Sequence, residues 1–116
     1  ITKLSNTHKN LNDYPTKSLI KLDESFALET ANLINKLLTK LNINKNLVHA
    51  IGSHGQTIQH FPRIDKPYSL QIGNPRIISK VTGIKTVGNF RKANIEHGGI
   101  GAPLTPAFHK EIFFFF

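Results

Sequence analysis

From Asp23 onward the chain carries a helical rhythm. Phe26, Ala27, Thr30, Ala31, Leu33, Ile34, Leu37, Leu38 and Leu41 recur at steps of three and four, the stripe of an amphipathic helix. Asp23 or Ser25 stands where an N-cap belongs, and Lys36 and Lys40 suit the negative end of the dipole. Asn42 to Asn46 form the exit. Residues 1–22 are polar and hold the turn signal Asp13-Tyr14-Pro15, so they read as a linker or the remnant of an upstream region. Residues 23–116 form the folded unit.

The pattern then changes to short runs. "LVHAI" (Leu47 to Ile51), stopped by Gly52, predicts a buried strand. "TIQHF" and "YSLQI" alternate sides about "PRIDKP" and predict a hairpin or two neighbouring strands. "GNPRIISKVTG" predicts a short helix with Asn74 as N-cap, Pro75 at its first position and Gly83 just past its end. "IKTVGNF" predicts another strand, leading into a glycine-rich loop. Thr105-Pro106 opens a last helix, "PAFHKEIF". The order is that of an α/β fold. The loops Gly52–Gln56 and Gly88–Gly101 each leave a strand end, where open α/β sheets bind ligands. The final "IFFFF" places four phenylalanines in a row, which one helix cannot turn toward a single core. The chain is therefore expected to stop inside an element whose packing partners lie elsewhere.

Composition narrows the functional classes. The 116 residues are 39% hydrophobic, enough for one domain with a small core, and a mean hydropathy of -0.22 fits a soluble globular protein rather than a disordered or membrane chain. Without cysteine there is neither a disulfide nor a thiolate metal site. The opening "ITKLSNTHKN" lacks the apolar centre of a signal peptide, and a cytoplasmic location is expected. The net charge of +8 and pI near 10.0 raise the question of a polyanion partner. Yet the lysines are scattered and no aromatic platform interleaves them, so no specific nucleic-acid partner is expected. His49, His54 and His60 match neither one helical face nor a zinc pattern, and no metal site is expected. His97 and His109 read as surface or capping residues.

Two stretches offer chemistry. In "GSHGQT" (Gly52 to Thr57), glycines allow close backbone approach while Ser53, His54, Gln56 and Thr57 supply directional hydrogen bonds. The same residues equally suit a tight strand-exit turn. "GGIGAP" (Gly98 to Pro103) lacks the Lys-Ser/Thr of a phosphate loop and completes no dinucleotide fingerprint. It suits a backbone wrapped round a small molecule, or a mobile loop. Arg91 can clamp an anion or pair with Glu96, the one carboxylate between Thr86 and Pro106. Asn89 and Asn94 place amides where an acid would be expected.

The strings "AIGSHGQTIQHFP", "SLQIGNPRIISKVTGIKTVGNFR" and "GGIGAPLTPAFHKEIF", in this order and spacing, resemble the anhydro-N-acetylmuramic acid kinases. The resemblance runs from the helix before the first string to the last helix. It implies an acetate-and-sugar-kinase, Hsc70 and actin-like fold with a ribonuclease H-like lobe: a mixed sheet flanked by helices. Residues 23–116 would be part of the first lobe, cut at both ends. It also implies an ATP- and Mg²⁺-dependent reaction of peptidoglycan recycling. Water opens the 1,6-anhydro ring of the amino sugar at C1, O6 takes the γ-phosphoryl group, and N-acetylmuramic acid 6-phosphate results.

Residue by residue, the resemblance assigns substrate contacts to Ser53, His54, Gly55, Gln56, Thr57, Arg91, Gly98, Gly99 and Gly101, and no protein metal site. The family's general base is the aspartate of an "ADFR"-like motif, and Asn89 occupies that position. Asn74 and Asn94 also stand where the family has aspartates, and Ile100 where it has glutamine. The glycine-rich phosphate loop and the adenosine-binding half of the family are missing from this sequence, so the chain alone is expected to be inactive. Full-length members are expected to form homodimers without membrane partners. Two other classes compete: a small binding domain without catalysis, and a basic module for polyanions.

Overall fold

A computed structural model describes residues 16–61 and 68–113. Helix α1 spans Thr16–Lys40. It begins about two turns before Asp23, so residues 16–22 are helical and not linker. The turn signal at Asp13-Tyr14-Pro15, the "PRIDKP" connection and Phe114 to Phe116 lie outside the described residues.

The apolar stripe of α1 divides in two. Ala27 and Ala31 are completely buried against Ile78, with Ile34, Ile51 and Ile77 packed round them. Two alanines let the neighbouring helix approach closely, and the larger isoleucines fill the space between. Leu33, Leu37 and Leu41 are each more than half exposed. Periodicity marks them as core, but the second helix covers only the alanine side.

The expected strand Leu47–Ile51 is mostly absent. Lys45–Leu47 forms one turn of 3₁₀ helix, started by the Asn44 side chain accepting from the Asn46 N–H, and Leu47 is 73% exposed. Strand β1 is only Ile51–Gly52. It pairs in parallel with β4, Thr86–Val87, with Ile51 opposite Thr86 and Gly52 opposite Val87. Bonds from Ile51 N to Lys85 O and from Ser53 N to Val87 O, both 2.8 Å, extend the contact. A strand lasts only as long as its partner. Here the chain beyond Gly88 turns into a helix, so "IKTVGNF" contributes two paired residues.

The hairpin is present as β2, Gln56–Phe61, and β3, Tyr68–Ile72, antiparallel. Gln56, expected in the loop, is its first residue. The register shifts between Thr57 and Gln59. This bulge lets two consecutive residues, Ile58 and Gln59, both be buried where strict alternation would expose one. The Tyr68 hydroxyl donates to Gln59 Oε1 at 3.0 Å. The two ladders are separate, one parallel and one antiparallel, and with the helices they make an α/β arrangement.

Helix α2, Pro75–Thr82, keeps the expected punctuation: Asn74 Oδ1 accepts from Arg76 N, Pro75 leads, and Gly83 ends the helix in the left-handed region at φ 73°. The glycine-rich stretch is not all loop, because Phe90–Glu96 forms a short helix, α3. Thr105–Phe113 is α4, as expected from Thr105-Pro106. No helix among the described residues is long and apolar enough to cross a membrane.

Asp23 does not cap its own helix. With α1 starting at Thr16, the residue sits about two turns into the helix, and its Oδ1 accepts a 2.7 Å hydrogen bond from Gly73 N between β3 and α2. Gly73 is buried, so its N–H has no water to fall back on. Replacing Asp23 with alanine is expected to cost about 1.5–3 kcal/mol, the range for a lost bond to a charged acceptor. Asp23→Asn, which keeps an acceptor, should cost less. Urea denaturation of both variants checks the order; an unchanged midpoint for Asp23→Ala would show that the bond contributes nothing.

Candidate functional site

Three turns at strand ends converge on one cleft of about 430 Å³. Ser53–Gly55 leaves β1, Gly73–Arg76 leaves β3, and Asn89 follows β4. Leu70 to Ile72 of β3 also line it, and Leu19, Ile20 and Asp23 of α1 complete the lining. The parallel β1–β4 pair brings the first and third turns side by side. The second is drawn in by β3 and by the bond from Gly73 to Asp23.

The turns approach one another closely at their glycines. A Cβ on Gly88 would stand 3.0 Å from Pro75 Cγ and 3.1 Å from Ser53 O, so all three turns meet there. Gly55 adopts φ 67°, and a Cβ on it would collide with the backbone carbonyl of Ile72. That carbonyl belongs to the hairpin and cannot rotate away.

Of the residues proposed from sequence, the structure gathers Ser53, His54, Gly55 and Asn89 round the cleft. Gln56 and Thr57 run on into β2 outside the lining; Thr57 Oγ1 accepts from Gln71 Nε2 at 3.4 Å. Arg91 is half-buried in α3 and does not border the cleft. It does not pair with Glu96 either: the carboxylate pairs with Lys92 at 3.8 Å, one helical turn away. Gly98, Gly99 and Gly101 cluster at the far end of α3. There Asn94 holds two of them, its carbonyl accepting from Gly99 N at 2.9 Å and its Oδ1 from Gly101 N at 2.8 Å, while Gly98 N donates to Ile95 O at 3.0 Å. His97 is exposed at the C-cap of α3, with Nδ1 2.7 Å from the Ala93 carbonyl oxygen, and His109 is exposed on α4.

Sequence reasoning missed Asp23, Gly73, Asn74 and Arg76 as cleft residues. Gly73-Asn74-Pro75 was readable as a third glycine-marked strand exit, and an acid on the apolar stripe of α1 was a signal in itself. The chemistry of the cleft is mainly hydrogen bonding. Asn89 is exposed, holds a left-handed conformation at φ 62°, and its side chain makes no capping bond, so its amide can face a ligand. The Ser53 hydroxyl and the His54 ring add polar groups. The carboxylate of Asp23 is engaged by Gly73.

The two kinds of glycine should respond differently to alanine. Gly55→Ala combines left-handed strain with a backbone collision and should destabilise by about 2–4 kcal/mol. Gly98 also has positive φ but faces open space, so Gly98→Ala should lose only about 1–2 kcal/mol. Thermal or urea unfolding of the two variants measures the difference, and equal losses would refute the close approach of Gly55 to Ile72.

Residues 3–115 match the family model described as anhydro-N-acetylmuramic acid kinase. A Shewanella woodyi protein named anhydro-N-acetylmuramic acid kinase is 48% identical over 93 residues, which cover 80% of this chain and 25% of that one. A Hahella chejuensis protein of the same name is 47% identical over 96 residues, covering 78% and 26%. The chain thus spans about a quarter of the length of the curated relatives it matches. On the match of residues 3–115 and on these identities, the chain belongs to the anhydro-N-acetylmuramic acid kinase family.

Proposed function

We propose that this chain forms part of the sugar-binding wall of a kinase that opens the 1,6-anhydro ring of anhydro-N-acetylmuramic acid and phosphorylates O6. The observation that carries this reading is the convergence of Ser53–Gly55, Gly73–Arg76 and Asn89 on one cleft. A bridged amino sugar presents hydroxyls, an amide and an apolar underside. The cleft offers hydroxyl, imidazole and amide groups on one side and Leu19 and Ile20 on the other. An actin-like, ribonuclease H-like lobe is the architecture this reading adopts, and the parallel β1–β4 pair between helices is compatible with it.

Two groups limit the chemistry of this segment. Water attack on C1 needs a proton acceptor, and Asn89 stands where the family's aspartate is expected. A neutral amide can orient water but cannot take its proton, while a general base typically contributes about 10²–10⁴-fold. Mg²⁺–ATP needs carboxylates and phosphate-cradling backbone. The cleft's one carboxylate is tied to Gly73, and no cluster of three acidic or histidine residues exists among the described residues. The described residues of this segment do not fit Mg²⁺–ATP. The neutral amide at position 89 favours, as a second reading, a domain that binds the sugar without turnover.

Titration of the purified chain with 1,6-anhydro-N-acetylmuramic acid, followed by ¹H–¹⁵N NMR, should move the amides of Ser53–Gly55, Gly73, Arg76 and Asn89. With Mg²⁺–ATP added, no phosphorylated sugar should form. Binding with shifts confined to other regions, or no binding, would remove the sugar-wall reading. Within a full-length kinase of the family carrying this segment, Asn89→Asp should raise kcat by about 10²–10⁴-fold. An unchanged kcat would deny position 89 the role of base.

A further inference from the structure

We propose that Arg76 is the anion-recognising residue of the cleft and clamps the lactyl carboxylate that distinguishes a muramic sugar from its glucosamine counterpart. The proposal rests on the sugar-binding reading above and adds to it the origin of specificity. Arg76 follows Pro75 in the first turn of α2, borders the cleft and is exposed. Among the described residues it is the only lysine or arginine lining the cleft, and it makes no ion pair.

The helix end beside it cannot take over the task. The Arg76 N–H donates to Asn74 Oδ1 at 3.0 Å, and those of Ile77 and Ile78 donate to Asn74 O at 3.1 and 3.2 Å. Pro75 has no N–H to give. An anion reaching this wall therefore meets the guanidinium, whose planar fork grips a carboxylate through two parallel N–H groups.

Arg76 is also well placed to select an orientation. Its helix is capped at both ends and held by the buried Ile78 and Thr82. The Asp23 carboxylate also borders the cleft but is engaged by the Gly73 N–H, so the lining pairs one engaged anion with one available cation. A ligand with a single carboxylate gains by turning it toward Arg76 and away from Asp23. A lactyl group carries a methyl beside its carboxylate, and the apolar side chains of Leu19, Ile20 and Leu70 line the same cleft.

The test compares two sugars on the purified chain by NMR titration: 1,6-anhydro-N-acetylmuramic acid, and 1,6-anhydro-N-acetylglucosamine, which lacks the lactyl group. The natural sequence should bind the muramic sugar about ten-fold more tightly, the worth of one exposed bidentate contact. Arg76→Gln should erase that preference, so that the two sugars bind with equal affinity. Arg76→Lys should retain part of it, with greater sensitivity to salt. Amide spectra of the variants that match the unsubstituted chain outside α2 exclude misfolding as the cause. Equal binding of both sugars, or a preference that survives Arg76→Gln, would overturn the role of Arg76 while leaving the sugar-wall reading intact. Failure of both sugars to bind would overturn the two together.

Discussion

The hydrogen bond between Asp23 and the Gly73 N–H joins the first helix to a turn fifty residues later in the chain. Around it the rest of the architecture falls into place. Ala27 and Ala31 lie one and two turns further along the same face of α1, where they admit Ile78 of α2. Helix α2 starts from the turn that Asp23 holds, so its entry point is set by a directional bond and its course by close packing. Strand β3 ends at the same turn, which carries the hairpin onto α1. Close apolar contact provides most of the driving force for such an arrangement, but it is not directional. The carboxylate-to-amide bond supplies the direction.

That constraint also shapes the electrostatics of the cleft. A chain with net charge +8 would be expected to surround a ligand with positive groups. Instead Lys17, Lys21, Lys36, Lys40, Lys80 and Lys85 are exposed and stand outside the cleft lining. In water these scattered charges are screened within about 10 Å at 0.1 M salt. The cleft itself contains one carboxylate and one guanidinium, and the carboxylate is already occupied. Net charge thus says little about recognition in this molecule. The local pattern of one engaged anion and one available cation says much more.

Among the described residues the hydrophobic core is thin: six hydrophobic residues are buried, two of them alanines, while Leu33, Leu37, Leu41, Leu47 and Phe113 are more than half exposed. Per residue this leaves modest burial to offset backbone ordering. The short strands fit the same account, since a two-residue parallel ladder adds few bonds. Capping, tight turns and the Asp23 bond therefore carry a larger share of the definition of the fold than in a domain with a deep core.

Elements governed by neighbouring residues were legible from sequence. Asn74, Pro75 and Gly83 bracket α2 through capping, a fixed φ and left-handed backbone, each acting within a turn. The alternation of "TIQHF" and "YSLQI" specified the hairpin, and Thr105-Pro106 the start of α4. The glycine-marked strand exits pointed to Ser53, His54, Gly55 and Asn89 at the cleft, and the motif strings pointed to the family. Tertiary structure decided what depends on partners far along the chain. It set how many residues of "LVHAI" and "IKTVGNF" pair, which side of the α1 stripe is covered, and that Asp23 serves Gly73 rather than its own helix. It also placed Arg76 in the cleft and left Arg91, Gly98, Gly99 and Gly101 outside. Local signals reach about one helical turn, whereas strand length, burial and the company a side chain keeps depend on what folding brings against it from tens of residues away.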